Sequence, residues 1–306
     1  MGDMRVAVTG ATGTIGRALV RELRERGDEV TALSRDPAAA DLGVETLGWP
    51  DPKRERPPAG AFHGRDAVVN LVGETLAQRW SDEAKREIRE SRVLATRNLV
   101  AALATLPEAE RPRALVSQSA TGWYGPRGDE PLDEEDPAGS DWLAGVVRDW
   151  ETEARRAQEQ GVRVAMTRTG VVLSHGSGAL QKMLPFFKLG IGGPVAGGRQ
   201  YVPWVHLDDV VGAIVFCLDT DAASGPVNVT APEPVTNREL SRTLGRVLRR
   251  PAFAPVPGLA VKALYGEMAT IVTTGQRAVP GRLTELGYAF RHPELEAALR
   301  SATGRS

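Results

Sequence analysis

Apolar positions in the first part of the chain alternate between short continuous runs and runs at helical spacing. Residues 4–9 predict a buried strand, and apolar residues three and four positions apart predict a helix from Thr14 to Gly27. A second strand is predicted at 29–33. Strand, helix and strand in this order form a βαβ unit, which predicts a parallel sheet with right-handed crossovers.

The alternation continues as far as residue 231. Further strands are predicted at 44–47, 67–73, 113–119, 162–170 and 226–231. Further helices are predicted at 81–104, 141–159, 208–218 and 237–249. Ser81 is the expected N-cap of the first of these helices, and Thr236 with Glu239 forms a capping box for the last. The pattern indicates an α/β protein with a Rossmann-type, doubly wound parallel sheet.

Beyond residue 175 the regular pattern weakens. A glycine-rich loop follows, and the last 55 residues have proline-rich breaks that leave room for two or three short helices. We therefore predict a Rossmann domain over 1–230 and a small, mostly helical C-terminal domain over 231–306. Residues 176–205 are expected to contribute to the substrate lobe.

Composition and charge exclude several classes of function. The 38 basic and 39 acidic residues give a net charge of −1, which offers no field for nucleic acid or anionic lipid. No segment resembles a signal peptide or a membrane span, so we expect a cytoplasmic protein. The only cysteine, Cys217, lies in an apolar run, and the four histidines have no metal-ligand spacing. No metal is expected.

The turn after the first strand carries the most informative motif. Gly10, Gly13 and Gly16 follow a predicted strand and open a predicted helix, which is the context that a dinucleotide fingerprint requires. Gly10 permits a tight turn, Gly13 lets the backbone approach a pyrophosphate, and Gly16 lets helix and strand pack closely. The N–H groups at the start of the helix then face the phosphates.

The end of the second strand bears on the choice between NAD and NADP. Ser34 stands 18 residues after Gly16, where an acidic residue would bind the ribose 2′-hydroxyl of NAD. Arg35 follows and can form charge-assisted hydrogen bonds to a 2′-phosphate. The alternative is an arginine that is simply solvated on a loop. We predict that NADP(H) is preferred over NAD(H).

Several longer motifs resemble a known superfamily. The segments TGATGTIG (9–16), SQSATGWYG (117–125) and VHLDDVVGAI (205–214) resemble the extended short-chain dehydrogenase/reductases. The whole chain is more closely similar to the NAD-dependent epimerase/dehydratase-like family of atypical members, which has a small C-terminal domain. That similarity rests on segments 70–80, 127–137, 168–173, 197–209, 225–239 and 275–299.

The resemblance implies roles for residues at matching positions. The pyrophosphate would be held by Gly10, Thr12, Gly13, Thr14 and Ile15, and the adenosine ribose would meet Ser34 and Arg35. The ribose on the nicotinamide side would lie along Asn70, Leu71, Val72 and Gly73. The nicotinamide would lie near Ser117, Gln118 and Ser119. Of these, Ser119 matches the catalytic serine of the superfamily.

The chain departs from the superfamily in its acid–base pair. The Tyr-x-x-x-Lys motif is absent, and the matching helix has Leu143 and Val147 at those positions. Ser119 can polarise a carbonyl or be structural, and Tyr124 can donate a proton or pack in a turn. Arg168, at the end of a strand, lies where open α/β sheets bind ligands. Lys182, Lys188 and His206 can replace part of the dyad or be structural, the latter being favoured. Trp80 and Arg92 can contact a ligand or pack. A substrate pocket or lid is expected to include Gln200, Tyr201 and Trp204.

Two functions remain open from the sequence. The first is an NADP(H)-dependent oxidoreductase or epimerase that transfers hydride to or from a small carbonyl or sugar-like substrate. The second is a catalytically degenerate protein that binds NADP(H) as a sensor or scaffold. The missing dyad favours the second function, whereas the retained Ser119 favours the first. The sequence indicates neither the substrate nor the oligomeric state, for which a monomer and a homodimer both remain open.

Overall fold

The computed structural model describes residues 3–176 and 178–305. The strands are β1 (Arg5–Thr9), β2 (Glu29–Ser34), β3 (Glu45–Gly48), β4 (Ala67–Asn70), β5 (Ala114–Ala120), β6 (Pro131–Leu132), β7 (Arg163–Thr169), β8 (Val171–Leu173), β9 (Tyr201–Val202), β10 (Trp204–His206), β11 (Gly225–Val229), β12 (Val235–Thr236) and β13 (Arg277–Ala278). The helices are α1 (Thr14–Arg26), α2 (Asp82–Leu103), α3 (Trp142–Arg155), α4 (Gly178–Lys188), α5 (Leu207–Asp219), α6 (Asn237–Leu248), α7 (Gly258–Tyr265), α8 (Ala269–Thr273), α9 (Gly281–Glu285) and α10 (Leu295–Ala302).

The main sheet has seven strands in the order β11-β7-β5-β4-β1-β2-β3, and neighbouring strands are parallel. The chain first builds outwards from β1 through β2 to β3, and then returns to the other side of β1 at β4. This reversal creates a crevice at the carboxyl ends of β1 and β4, where open α/β sheets bind ligands. The predicted Rossmann fold is confirmed.

Strand alternation divides the core of the Rossmann part into two layers. Val6 and Val8 face α1 and α5, whereas Ala7, between them, faces α2 and α3. All three side chains are fully buried. Both faces of the sheet are therefore covered by helices, which explains why its strands appear in the sequence as continuous apolar runs.

The predicted helix ends are confirmed where local signals are strong. Helix α1 ends at Gly27, which takes the left-handed φ of 93° that favours glycine at this position. Ser81 caps α2 by accepting a hydrogen bond from the Ala84 N–H. Thr236 and Glu239 form the predicted capping box of α6.

A third apolar cluster lies in the part of the chain that we expect to form the substrate lobe, and it joins residues that are distant in the sequence. Leu180 of α4, Leu244 of α6 and Leu299 of α10 are buried together. By contrast, Leu283 and Tyr288 return to the Rossmann core beside α1 and α5. The division at residue 230 therefore stays a prediction, and the C-terminal segment contributes to both bodies. Four helices follow residue 251 in the described chain, one more than the upper expectation.

Two further sequence predictions concern single features. Cys217 is buried and free, as its apolar surroundings predicted. Across the described ranges, no helix combines the length and apolarity that a bilayer crossing requires. The cytoplasmic location stays a prediction.

Candidate functional site

The glycine turn between β1 and α1 is built by close backbone contacts. A Cβ on Gly10 would lie 2.5 Å from the Leu71 carbonyl oxygen, and Gly10 also has a left-handed φ of 65°. A Cβ on Gly16 would lie 2.4 Å from the Gly10 carbonyl oxygen. Both positions therefore require glycine for packing. At Gly13 the nearest atom would be 3.4 Å away, so this glycine leaves space beside the turn.

The start of α1 presents its backbone to that space. Gly13 is the N-cap and supplies no side-chain hydrogen bond, and the first turn of α1 has no acidic residue. Thr12, Gly13 and Thr14 are exposed, and Ile15 is half-buried against the core. A helix N-terminus with free N–H groups and no competing acid favours an anionic ligand such as a pyrophosphate. The residues of the turn therefore fit a dinucleotide.

The end of β2 leaves one cation without a partner. The buried Ser34 hydroxyl exchanges hydrogen bonds with the backbone of Asp36 at 3.1 and 3.2 Å. The Asp36 carboxylate accepts a hydrogen bond from the Ala39 N–H and so stabilises the turn that follows β2. Within the described ranges, the exposed Arg35 guanidinium has no hydrogen-bond or ion-pair partner. The guanidinium at this end of the strand is therefore available for charge-assisted hydrogen bonds to an anion.

The residues after β4 lie beside the glycine turn, but their polar side chains differ in role. Asn70 is fully buried, accepts from the Thr9 hydroxyl at 2.9 Å and donates to Thr96 and Ser117. The Asn70 and Ser117 side chains therefore connect neighbouring strands. Leu71 and Val72 are half-buried and Gly73 is exposed, so the backbone here borders the crevice. Gln118, also half-buried, lies one strand further along.

Ser119 lies in a buried ion-pair network. Its hydroxyl donates to Glu151 Oε1 at 2.7 Å. Arg168 binds the same carboxylate with two nitrogens, at 2.8 Å to Oε1 and 3.1 Å to Oε2. All three side chains are 1% exposed. The Ser119 proton is therefore engaged inside the protein. The Arg168 guanidinium lies against protein partners, and this position favours a structural role over the ligand-binding role, as a cofactor-binding residue, that its place at the strand end suggested.

Tyr124 belongs to the same network. Its hydroxyl lies 2.7 Å from both the Asp133 carbonyl and Asn228 Oδ1, and it accepts from Arg168 at 3.3 Å. Burial raises the pKa of Tyr124 to about 12, although the nearby Arg168 opposes this shift. The ring is fully buried. This geometry favours the packed-turn interpretation of Tyr124 over that of a proton donor.

The two positions of the missing dyad are filled by packing. Leu143 and Val147 are buried on α3, and a Cβ on Gly122 would lie 2.9 Å from Leu143 Cδ2 and 3.7 Å from Val147 Cγ2. The turn after β5 is thus pressed onto an apolar helix face. No acid–base pair can occupy these two positions.

Sequence reasoning missed the role of Glu151, although a signal was present. Leu143, Val147 and Glu151 recur at four-residue spacing and share one helix face, of which the first two are apolar. A carboxylate on a buried face requires a cation. Arg168, near the end of the strand predicted at 162–170, was an available partner.

The structure also groups residues that the sequence left scattered. His206, Asp208 and His292 each place a possible ligand atom within 4.8 Å of the others. His206 Nδ1 accepts from the Asp208 N–H as the cap of α5, and His292 Nε2 lies 3.1 Å from Asp208 Oδ2. The two rings stack with centroids 3.9 Å apart. Through these contacts, the three side chains hold the C-terminal segment against α5.

Arg92 is another cation beside the crevice. It donates to the Ile88 and Glu74 carbonyls at 3.0 and 2.8 Å, and a Cβ on Gly73 would lie 3.1 Å from its guanidinium carbon. Burial lowers the pKa of Arg92 to about 10. Arg92 therefore holds the 73–74 backbone in place.

The remaining candidates lie mostly in contacts with the lobe. Lys182 donates to the Ala77 carbonyl, the Trp80 ring packs on Trp142, and the Gln200 amide donates to the Val272 carbonyl. Trp204 is buried, and Tyr201 stacks under Arg277. His206 caps α5, as described above, and Lys188 is the last residue of α4. These contacts favour the structural interpretation for each residue whose partner is named.

The fold and the turn together define a nucleotide-binding Rossmann protein of the short-chain dehydrogenase/reductase class. Residues 6–230 match the model of the NAD dependent epimerase/dehydratase family, and residues 256–302 match a domain of unknown function, DUF1731. The chain belongs to the NAD dependent epimerase/dehydratase family.

Similar proteins occur in plants, bacteria and animals. The chain is 42% identical over 301 residues to the chloroplastic epimerase family protein SDR39U1 homolog of Arabidopsis thaliana, covering 98% of this chain and 86% of the plant protein. It is 41% identical over 307 residues to the epimerase family protein MT2273 of Mycobacterium tuberculosis, covering 100% and 99%.

Solved structures extend the similarity to the fold. The crystal structure of human epimerase family protein SDR39U1 (isoform 2) with NADPH has a TM-score of 0.87 and 35% identity, covering 99% of this chain and 100% of the human one. A nucleoside-diphosphate sugar epimerase from Corynebacterium glutamicum has a TM-score of 0.78 and 34% identity, covering 99% of this chain and 59% of that one.

Proposed function

We propose that this chain binds NADP(H) in preference to NAD(H) and uses it in hydride transfer with a small carbonyl or sugar-like substrate. The observation that carries the proposal is the pair formed by the uncapped start of α1 and the unpartnered Arg35. The human relative crystallised with NADPH supports the same choice. Bound NADP(H) would supply the hydride, and the protein would bind it and orient the substrate.

The roles proposed for the chain's residues follow their surroundings. The N–H groups of the 12–15 segment would bind the pyrophosphate, and Arg35 would bind the 2′-phosphate. The backbone at 71–73 would border the second ribose. Ser119 can polarise a carbonyl only if its hydroxyl leaves Glu151, because one proton cannot serve both acceptors.

A second candidate function is binding of NADP(H) without turnover, as a sensor or scaffold. The observation that favours it is the internal engagement of Ser119 and Tyr124, together with the apolar Leu143 and Val147. Such a protein would retain the residues that bind the cofactor and lack the acid–base groups that catalysis needs.

Cofactor preference can be tested by fluorescence titration with NADPH and NADH. Arg35→Gln should weaken NADPH binding by roughly tenfold, which corresponds to about 1.4 kcal/mol, and leave NADH binding unchanged. Arg56→Gln is the matched control, because Arg56 is also exposed and has no partner in the described part of the chain. Equal affinities of the unaltered protein for the two coenzymes would refute the role of Arg35.

Turnover can be tested by following NADPH oxidation over a panel of aldehydes, ketones and nucleotide sugars. Saturable oxidation that falls in Ser119→Ala would support hydride transfer with a polarising serine. Tight NADPH binding with no oxidation across the panel would support the second candidate.

A further inference from the structure

A basic cleft lies on the substrate lobe, outside the cofactor residues. It encloses about 700 Å³ between α6 and the segment that follows it. Five arginines line it, and its other lining residues carry no charge. The arginines are Arg238, Arg242, Arg246, Arg249 and Arg250. This concentration contrasts with the nearly balanced charge of the whole chain, which is −1.

The arginines of the cleft are poorly neutralised by the protein. Arg238 donates to the Gly197 carbonyl, and Arg246 lies 3.4 Å from Glu296. Hydrogen bonds from Thr236 lower the pKa of Glu239, and the charge of the nearby Arg242 adds to this shift, but Arg242 forms no hydrogen bond within the described ranges. In the part of the chain described by the structure, the exposed Arg249 and Arg250 side chains have no partner.

The backbone holds these arginines in a concave shape. A Cβ on Gly245 would lie 2.4 Å from the Ala252 Cβ, so glycine lets the 250–252 segment cross α6 closely. Arg249 ends the helix with a left-handed φ of 54°, a conformation that favours glycine. Helix stability alone would favour glycine there, and the arginine keeps a charge at the edge of the cleft instead.

We propose that this cleft binds a small soluble ligand with two or more phosphate charges. Guanidinium groups bind phosphate oxygens with paired hydrogen bonds, and several converging arginines select multiply charged anions. A volume of about 700 Å³ falls within the range of small-molecule sites. Because the arginines line a concavity, a small ligand fits them better than a flat membrane does.

A charge-stabilised helix is the competing explanation. Cations near the last turn of a helix stabilise its dipole, which accounts for Arg246 and Arg249. It does not account for Arg238 and Arg242, which lie in the first half of α6. Arg238 is held by the Gly197 carbonyl, so Arg242 and Arg250 are the arginines for which a ligand is the better explanation.

The test is calorimetric titration of the full chain with sodium pyrophosphate at physiological salt, with NADPH present at saturating concentration. NADPH is included so that pyrophosphate does not enter the turn at α1. We expect saturable binding that is at least tenfold weaker in the Arg249→Gly/Arg250→Gln variant. Glycine suits the left-handed position, so this variant should fold. The control, Arg56→Gln/Arg86→Gln, removes two exposed charges elsewhere and should stay within twofold of the unaltered protein.

Three outcomes would overturn the proposal. One is no saturable binding of pyrophosphate, and another is an equal loss in both double variants, which would indicate general charge attraction. The third comes from sedimentation with phosphatidylserine–phosphatidylcholine vesicles: binding that depends on Arg249 and Arg250 and is not competed by pyrophosphate would assign the surface to a membrane.

Discussion

Replacing Glu151 with leucine should destabilise the protein strongly, because it leaves the buried Arg168 guanidinium without its carboxylate partner. The guanidinium is 1% exposed, so water cannot replace the lost carboxylate as its partner. Breaking a buried pair by removing one partner costs about 3–5 kcal/mol. Arg168 would keep the Tyr124 hydroxyl and the Glu134 carbonyl at 3.3 Å and the Trp123 ring at 4.0 Å, which favours the lower end, about 3 kcal/mol.

Replacing Arg168 instead of Glu151 should lower the free energy of unfolding by less. In Arg168→Met, the Glu151 carboxylate keeps Ser119 at 2.7 Å and the partly exposed Arg155 at 2.9 Å. The double variant Glu151→Leu/Arg168→Met removes both charges, so its loss should be smaller than the sum of the single losses by about 2 kcal/mol or more. The network would then be a coupled unit.

The assay is urea denaturation of the four proteins, followed by circular dichroism. A loss of 3 kcal/mol corresponds to a fall in melting temperature of about 5 °C for 306 residues, if unfolding is a single transition. Additive losses in the double variant, or a loss below about 1 kcal/mol in Glu151→Leu, would refute the view that this pair is dry and coupled.

Three further predictions concern separate parts of the molecule. Gly13→Ala should fold normally, because its Cβ meets only a contact at 3.4 Å, but should bind NADPH roughly tenfold more weakly by fluorescence titration; unchanged affinity would contradict the assignment of the turn. Burial, and then the electrostatic interaction with His292, lower the pKa of His206, while Asp208 and Asp209 oppose this. The folded state therefore favours neutral His206, so stability is complete above pH about 6.5 and falls as the pH drops through the folded pKa. His206→Asn keeps a cap and removes the titration, so its free energy of unfolding should fall less between pH 7.5 and pH 5, and an equal fall would contradict this. Arg249→Gly should raise the free energy of unfolding by up to about 1 kcal/mol in urea, since it relieves a left-handed arginine; a clear loss would show that the side chain stabilises the fold.

The sequence predicted the parts of the fold that local signals determine. Strand–helix alternation predicted the sheet, and Ser81, Gly27 and the Thr236–Glu239 box marked helix ends within a residue or two. The strand predicted at 67–73 ends earlier, at Asn70. After Asn70 the chain leaves the ladder to pass close to Gly10, a contact that apolar residues alone do not reveal.

The candidate site was predictable only in its cofactor half. The glycine turn lies within one βαβ unit, so spacing in the sequence translates directly into geometry. His292 lies 84 residues after Asp208 and further still after His206. These side chains meet only because the C-terminal segment returns to α5, which the sequence does not show. Ser119, Glu151 and Arg168 come from three elements whose packing fixes which polar groups meet.

The two halves of the crevice differ in how their polar groups are satisfied. At the turn, the α1 N–H groups lack a side-chain cap and Arg35 has no partner among the described residues, which is costly only if nothing else binds them. At the end of β5, Ser119 and Arg168 complete their hydrogen bonds with Glu151. Polar groups that serve a ligand must remain available to it, whereas groups that serve the fold are satisfied within it. If the proposed hydride transfer occurs, the Ser119 hydroxyl can give a proton to the substrate only after it gives up its bond to Glu151.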